Sequence, residues 1–249
     1  METRVDEIAP QIYRISTFIP HAGLAFNQFV IDAEEPLLFH TGMRALFPTV
    51  SEHLKRVLEP ARLRWIMFGH YEADECGAMN DWLEAAPSAT VAHGAVGVMT
   101  SVNDQALRPA QAMQSGDTID LGGKRIRYIA TPHVPHGWDA GVIYEETTRT
   151  LFAGDLFTRL GKGTHTTDES ILEPALDAED RFGATALTPA TAPTIRSLAE
   201  LDISTLALMH APAFTGDASH ELRQLADAYE DRLHAAKAAG MCSKGGPSG

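Results

Sequence analysis

The chain has 249 residues, 44% of them hydrophobic, and 33 acidic residues against 20 lysines and arginines give a formal net charge of −13. That length suits one large α/β domain or two small ones with a full core, and the charge argues against a protein that tracks nucleic-acid phosphates or an anionic membrane surface. No apolar run approaches the roughly 20 residues of a membrane span, and the opening Met-Glu-Thr-Arg-Val-Asp-Glu lacks the apolar stretch of a secretory signal. Cys76 and Cys242 make a poor disulfide framework, which predicts reduced thiols and a cytoplasmic protein.

In chain order, residues 26–32 and 36–42 read as two strands joined by a short acidic turn. Thr49-Val-Ser-Glu52 has the form of a capping box opening a helix, with Val50, Leu54 and Val57 on one face. An apolar strand over 64–68 delivers His70; Asp81-Trp-Leu-Glu84 predicts a short helix, and 89–93 a further strand. Residues 118–130 form a hairpin turning at Gly122-Gly123, and 141–154 a second one turning near Thr147-Thr148. Residues 206–209 are a last buried strand, and 217–238 an amphipathic helix with Leu222, Leu225, Tyr229 and Leu233 at helical spacing. The Gly-, Ser- and Pro-rich residues 240–249 predict a disordered tail. Hairpins interleaved with helices, without internal repeat or long linker, predict a single domain over 1–239, an α/β sandwich of two mixed sheets flanked by helices.

Of the eleven histidines, His53, His93, His220 and His234 fall in the helix or turn contexts of ordinary solvated residues. The segment His70-Tyr-Glu-Ala-Asp-Glu75 is different: His70, Glu72, Asp74 and Glu75 are four ligand-type side chains just where an apolar strand stops. The other strands end similarly, leading to His133 and His136 within Thr131-Pro-His-Val-Pro-His-Gly-Trp-Asp-Ala-Gly141, to Asp155 after Leu151-Phe-Ala-Gly, and to His210 after Leu206-Ala-Leu-Met. Strand ends carrying His and carboxylates suit a divalent-metal site at one edge of a sandwich, where a bridging carboxylate holds two ions about 3.5–4 Å apart.

The order His-x-Glu-x-Asp, then His, Asp and His resembles the metallo-β-lactamase superfamily, and within it the flavodiiron and oxygen-binding diiron branch. Its hydrolases carry His-x-His-x-Asp-His in the first motif; here Glu72 stands at the second His position, as in the diiron branch. His136 and Asp155 are 19 residues apart, and His136-Gly-Trp-Asp-Ala is similar to that branch's His-Trp-Pro-Asp-Ser loop. The resemblance covers roughly residues 8–215 and implies a metallo-β-lactamase-like αββα sandwich. Position by position it implies one metal held by His70, Glu72, His136 and a bridging Asp155, and a second held by Asp74, Asp155 and His210. The family's remaining ligand is a His after the Asp, and this chain has Glu75 there, either as a carboxylate ligand or turned away. The Asp-Thr-Gly usual in the family is His40-Thr41-Gly42 here, which makes His40 a partner for a ligand or a plain strand-end residue. His133 competes with His136 as ligand, and the 19-residue spacing favours His136. Tyr71, His133 and Trp138 then stand as candidates for the pocket wall, and Cys76 for buried packing.

Four carboxylates against three histidines favour two iron ions, with manganese or zinc as alternatives. The resemblance implies a protein that binds O2 or NO, as a reductase fed by an external redox protein or as a gas sensor. The alternative is a dinuclear metal-dependent hydrolase, which Glu72 and the scarcity of basic residues near Asp155 (Arg159 and Lys162) disfavour. No Gly-rich phosphate loop for a flavin is present, so the expectation is a stand-alone diiron protein without a flavodoxin domain, paired as a homodimer by resemblance. Residues 161–169, with His165, read as a loop near the site mouth, either a mobile gate or a plain connection.

Overall fold

A computed structural model describes residues 1–242. The first of its two sheets, which has seven strands among the described residues, starts with a hairpin that the sequence reading did not include, β1 (Glu2–Ala9) and β2 (Ile12–Ile19), followed by β3 (Leu24–Ile31) and β4 (Leu37–Phe39) in antiparallel register. Strands β5 (Trp65–Met67), β6 (Thr90–Gly94) and β7 (Gln111–Met113) extend it in parallel. The second sheet contains β8 (Thr118–Asp120), β9 (Arg125–Ala130), β10 (Gly141–Glu145), β11 (Thr150–Phe152), β12 (Thr166–Thr167), β13 (Thr205–Ala207) and β14 (Ala213–Phe214), in the order β12-β14-β13-β11-β10-β9-β8. Gly122 and Gly123 both have positive φ (74° and 86°), as a primed hairpin turn requires, and join β8 to β9 as expected.

Successive residues of a strand face opposite sides, and that alternation builds three apolar layers. Phe29, Ile31, Leu37, Phe39 and Met67 of the first sheet meet Ile126, Tyr128, Ile143 and Phe152 of the second. On the outer face of the first sheet, Val30, Leu38 and Ile66 pack under helix α1 (Phe47–Leu54), the one-turn α2 (Ala73–Cys76) and α3 (Met79–Ala85), through Val50, Leu54, Cys76 and the fully buried Trp82. The short helical turns α4 (Ala95–Gly97) and α5 (Asn103–Gln105) lead on to β7. On the outer face of the second sheet, Val142, Leu151 and Leu206 pack under α6 (Leu172–Phe182), α7 (Thr191–Leu198) and α8 (Ala218–Cys242), with Ile195, Leu222, Leu225 and Tyr229 buried. The result is the expected αββα sandwich.

Three local expectations need correction. Helix α1 begins at Phe47 with Pro48 in its first turn, so Thr49 lies inside the helix and caps nothing; proline's fixed φ sets the start instead. Strand β4 stops at Phe39, because His40 turns into the left-handed region (φ 64°) and leads the chain out of the sheet. The segment 161–169 is tied down rather than a gate. It contains β12, and the Arg4 and Arg14 guanidinium groups donate to the carbonyls of Gly163 and Thr164. Helix α8 continues through residues 240–242, and the rest of the expected tail, 243–249, lies outside the described residues. Among the described residues, no helix is long and apolar enough to cross a membrane.

Candidate metal centre

Four connections at one edge of the sandwich bring the ligand-type side chains together. The first leaves β5, whose end is buried (Ile66, Met67 and Phe68), so the chain emerges at His70 with Glu72 directly preceding α2. The loop from β9 to β10 carries His136, with its ends closed by Thr131 N–H donating to the Ala140 carbonyl. Asp155 follows β11, and His210 follows β13. The backbone N–H of Met209 donates to the Gly154 carbonyl, which locks these two exits to each other. Asn27, which with Gln28 is one of two buried polar residues in a mostly apolar strand, reaches across from the first sheet and donates to the carbonyls of Leu208 and Ala211 on either side of His210. Its place inside the run Phe26–Ile31 was the signal for that role.

The donors form two groups that share Asp155. His70 Nε2 lies 2.8 Å from Glu72 Oε2 and 3.7 Å from Asp155 Oδ2; His136 Nε2 lies 3.1 Å from the same Glu72 oxygen and 3.4 Å from the same Asp155 oxygen. One donor atom from each of these four residues falls within 4.8 Å of the others. The other Asp155 oxygen, Oδ1, lies 3.2 Å from His210 Nε2, which in turn is 3.3 Å from Asp74 Oδ2. His210 Nδ1 is 2.8 Å from the carbonyl of Ala25, to which it donates, so that Nε2 presents its lone pair to the site. Asp155 Oδ1 and His136 Nδ1 are buried without a hydrogen-bond partner, and an unpaired buried oxygen is costly unless a cation faces it. These observations fit a pair of metal ions.

The electrostatics point the same way. Burial opposes the charged form of His70, but the hydrogen bond to Glu72 and the charges of Glu75 and Asp155 outweigh it and hold this imidazole up at about 10. His210, also opposed by burial, is likewise held at about 10 by Asp155 and Asp74. Burial raises Asp155, yet His210, His70 and His136 keep it well below the usual carboxylate range. Hydrogen bonds from His136 and His70 depress Glu72 further still. A cluster that keeps its carboxylates charged and recruits protons onto its histidines is one that metal cations can occupy by displacing those protons.

The remaining predicted residues divide. Glu75 is fully buried and lies behind His70: its Oε1 is 3.8 Å from His70 Nδ1, and its Oε2 accepts the Gly69 N–H at 2.7 Å. Burial pushes its carboxyl up. His40 is also fully buried, with Nδ1 3.2 Å from the Asn27 carbonyl and Nε2 3.2 Å from Glu75 Oε2. The two positions where this chain departs from the diiron pattern therefore touch each other. His133, with φ of 65°, is exposed and outside the cluster, which His136 joins instead. Tyr71 and Trp138 are exposed (38% and 57%) and do not line the cavity over the ligands. Cys76 is buried, and its thiol donates to the Glu72 carbonyl.

His93 overturns its reading as a solvated residue. It is fully buried and donates from Nε2 to Asp139 Oδ2 at 3.0 Å, and the same oxygen accepts the Tyr71 N–H at 2.9 Å. The pair thus ties the His70–Glu72 turn to the His136 loop. The signal was Asp139, an acid two residues before a buried strand in a loop already rich in ligands. Replacing Asp139 with Ala leaves the buried His93 donor and the Tyr71 N–H unpaired, an expected loss of about 1–3 kcal/mol. Denaturant unfolding of D139A, H93A and the double variant checks this, and the double variant is expected to cost much less than the sum of the two.

Above the donors lies a cavity of about 220 Å³, reached past Glu72, Asp74 and His136 and walled by Pro135, Ala178, Phe182 and Tyr229.

Known proteins resemble this chain in sequence and in fold. The chain is 25% identical over 229 residues to the anaerobic nitric oxide reductase flavorubredoxin of Pectobacterium carotovorum subsp. carotovorum (strain PC1), an alignment covering 85% of this chain and 44% of the relative. The chain thus spans less than half the length of that relative. Among solved structures, the rubredoxin oxygen:oxidoreductase from Desulfovibrio gigas superposes with a TM-score of 0.77 at 16% identity, covering 90% of this chain and 62% of the other. The flavodiiron protein from Giardia intestinalis superposes with a TM-score of 0.76 at 17% identity, covering 92% and 60%; likenesses at such identity speak for the fold. The model of the ODP family beta lactamases matches residues 24–210, three quarters of the chain and every side chain of the cluster, and the chain belongs to that family.

Proposed function

We propose that this chain is a diiron protein that binds O2 or NO. The observation that carries this reading is the division of Asp155, whose two carboxylate oxygens face two separate donor groups. Carboxylates supply Glu72, Asp74 and Asp155 to those groups, a hard donor set that suits iron better than an all-histidine first motif would. The names of the relatives, a nitric oxide reductase and an oxygen oxidoreductase, support the choice of gas. The residues of those groups would hold two ferrous ions, which would supply redox chemistry towards the diatomic ligand, with an external redox protein as the source of further electrons.

The chain's own residues prepare that chemistry. Asp155, Glu72 and Asp74 would offset positive charge at bound ions. Ala178, Phe182 and Tyr229 leave room for a small apolar ligand beside the donors. His210 is aimed by the Ala25 carbonyl and Asn27, so the geometry survives a change of charge at the centre. Anaerobic reconstitution with iron followed by O2 or NO is expected to change the visible absorption spectrum. Glu72→His is expected to diminish that change and to shift the metal preference from iron towards zinc in a competition titration. A protein that takes up zinc, ignores both gases and hydrolyses esters would instead be a hydrolase.

A further inference from the structure

The diiron reading leaves open what Glu75 does, and its surroundings answer. His70 presents Nε2 to Glu72 and Asp155, so Nδ1, on the far side of the ring, points away from the donors. Glu75 stands on that far side, its Oε1 3.8 Å from Nδ1, beyond hydrogen-bond distance but close enough for its charge to act on the ring, and without a hydrogen-bond partner. Its other oxygen is held by the Gly69 N–H and by contact with His40 Nε2. The carboxyl is encased: a Cβ added to Gly69 would lie 3.3 Å from Glu75 Oε2, and one added to Gly154 would lie 3.8 Å from Oε1. Its own carbonyl accepts the Thr41 N–H at 2.7 Å, which fixes the backbone. Swinging the carboxyl towards Asp74 and His210 would abandon the Gly69 N–H in a buried place.

We propose that Glu75 is a positioning residue that braces His70 from behind and gives nothing to the centre, so that the two ion positions are unequal. The first has four side-chain donors, His70, Glu72, His136 and Asp155; the second has three, Asp74, Asp155 and His210. Both positions border the cavity, and at the second, one donor short, solvent completes the coordination. Its ion binds more weakly, leaves first and presents the open position. This inference rests on the metal-centre reading above and goes further by ranking the two positions.

The test is a titration of the metal-free full chain with Co2+ under anaerobic conditions, followed by calorimetry and by the visible spectrum of the bound ion. Two steps are expected, separated by at least about tenfold in dissociation constant, with a chelator removing one ion well before the other. Asp74→Asn abolishes the weaker step and leaves the tighter one. Glu75→Gln removes the charge behind His70, lowers the affinity of the tighter step by about tenfold at most, and leaves the weaker step in place. Two equal, inseparable steps in the wild-type chain would overturn the inference, as would a Glu75→Gln variant that loses only the weaker step. The wild-type and Asp74→Asn titrations still decide whether the two positions are unequal if the Glu75→Gln variant fails to fold, and Glu75→Asp then tests the bracing role, expected to weaken the tighter step and overturned if it loses only the weaker one. No Co2+ binding at all would overturn the metal-centre reading beneath it.

Discussion

Asp155→Asn is expected to empty both ion positions at once. The substitution keeps the size of the side chain but removes its charge and replaces one oxygen with an NH2 group that cannot coordinate a cation. Since Oδ2 serves the His70 and His136 side and Oδ1 the His210 side, no other single change touches both groups. Loss of an outer partner costs roughly 10–100-fold in metal affinity, and loss of this shared donor should cost more at each position. Elemental analysis is expected to fall from about two ions per chain to fewer than one, while the circular dichroism spectrum keeps its wild-type form. Retention of two tightly bound ions by D155N would remove Asp155 from its bridging role.

Removing the metal is expected to expose a pH dependence that the loaded protein lacks. His70 and His210 have their folded-state values raised to about 10 from an ordinary 6.5. A raised value means that the folded chain binds the proton more tightly than the unfolded chain does. The stability gained is therefore complete below about pH 6.5 and is lost as pH climbs through about 10. For the metal-free protein this amounts to a decline on the order of a few kcal/mol across that window, read as a falling denaturation midpoint. Replacing His210 with Gln should flatten part of the slope, since one of the raised groups is gone while His70 and the buried Glu75 carboxyl remain. With ions bound, the ligating imidazoles are already unprotonated and the decline disappears. Metal uptake at neutral pH should accordingly release protons, seen as a calorimetric enthalpy that changes with the ionisation enthalpy of the buffer.

The hairpins were legible because alternation and turn chemistry agree: Gly122-Gly123 names its own turn, and the strands on either side alternate cleanly. The first hairpin was not, because β1 is a polar strand at the sheet edge and β2 contains Arg14, whose fully buried guanidinium breaks the apolar pattern while bonding to Asp6 and to loop carbonyls. The convergence of His70, Glu72, His136, Asp155 and His210 could be read from strand ends, since a strand that ends buried delivers the next side chain to the rim. The orientation of Glu75 could not. Spacing fixes where a residue sits on a one-turn helix, but only the pocket formed by Gly69, His40 and Gly154 decides which way its carboxyl turns. His93 escaped for a related reason, because its partner Asp139 lies 46 residues away.

The central claim is a two-iron centre at this edge of the sandwich, and the metal content of protein expressed and purified without air tests it most directly. The account predicts close to two irons per chain. Zinc in their place, or no tightly bound metal at all, would contradict it.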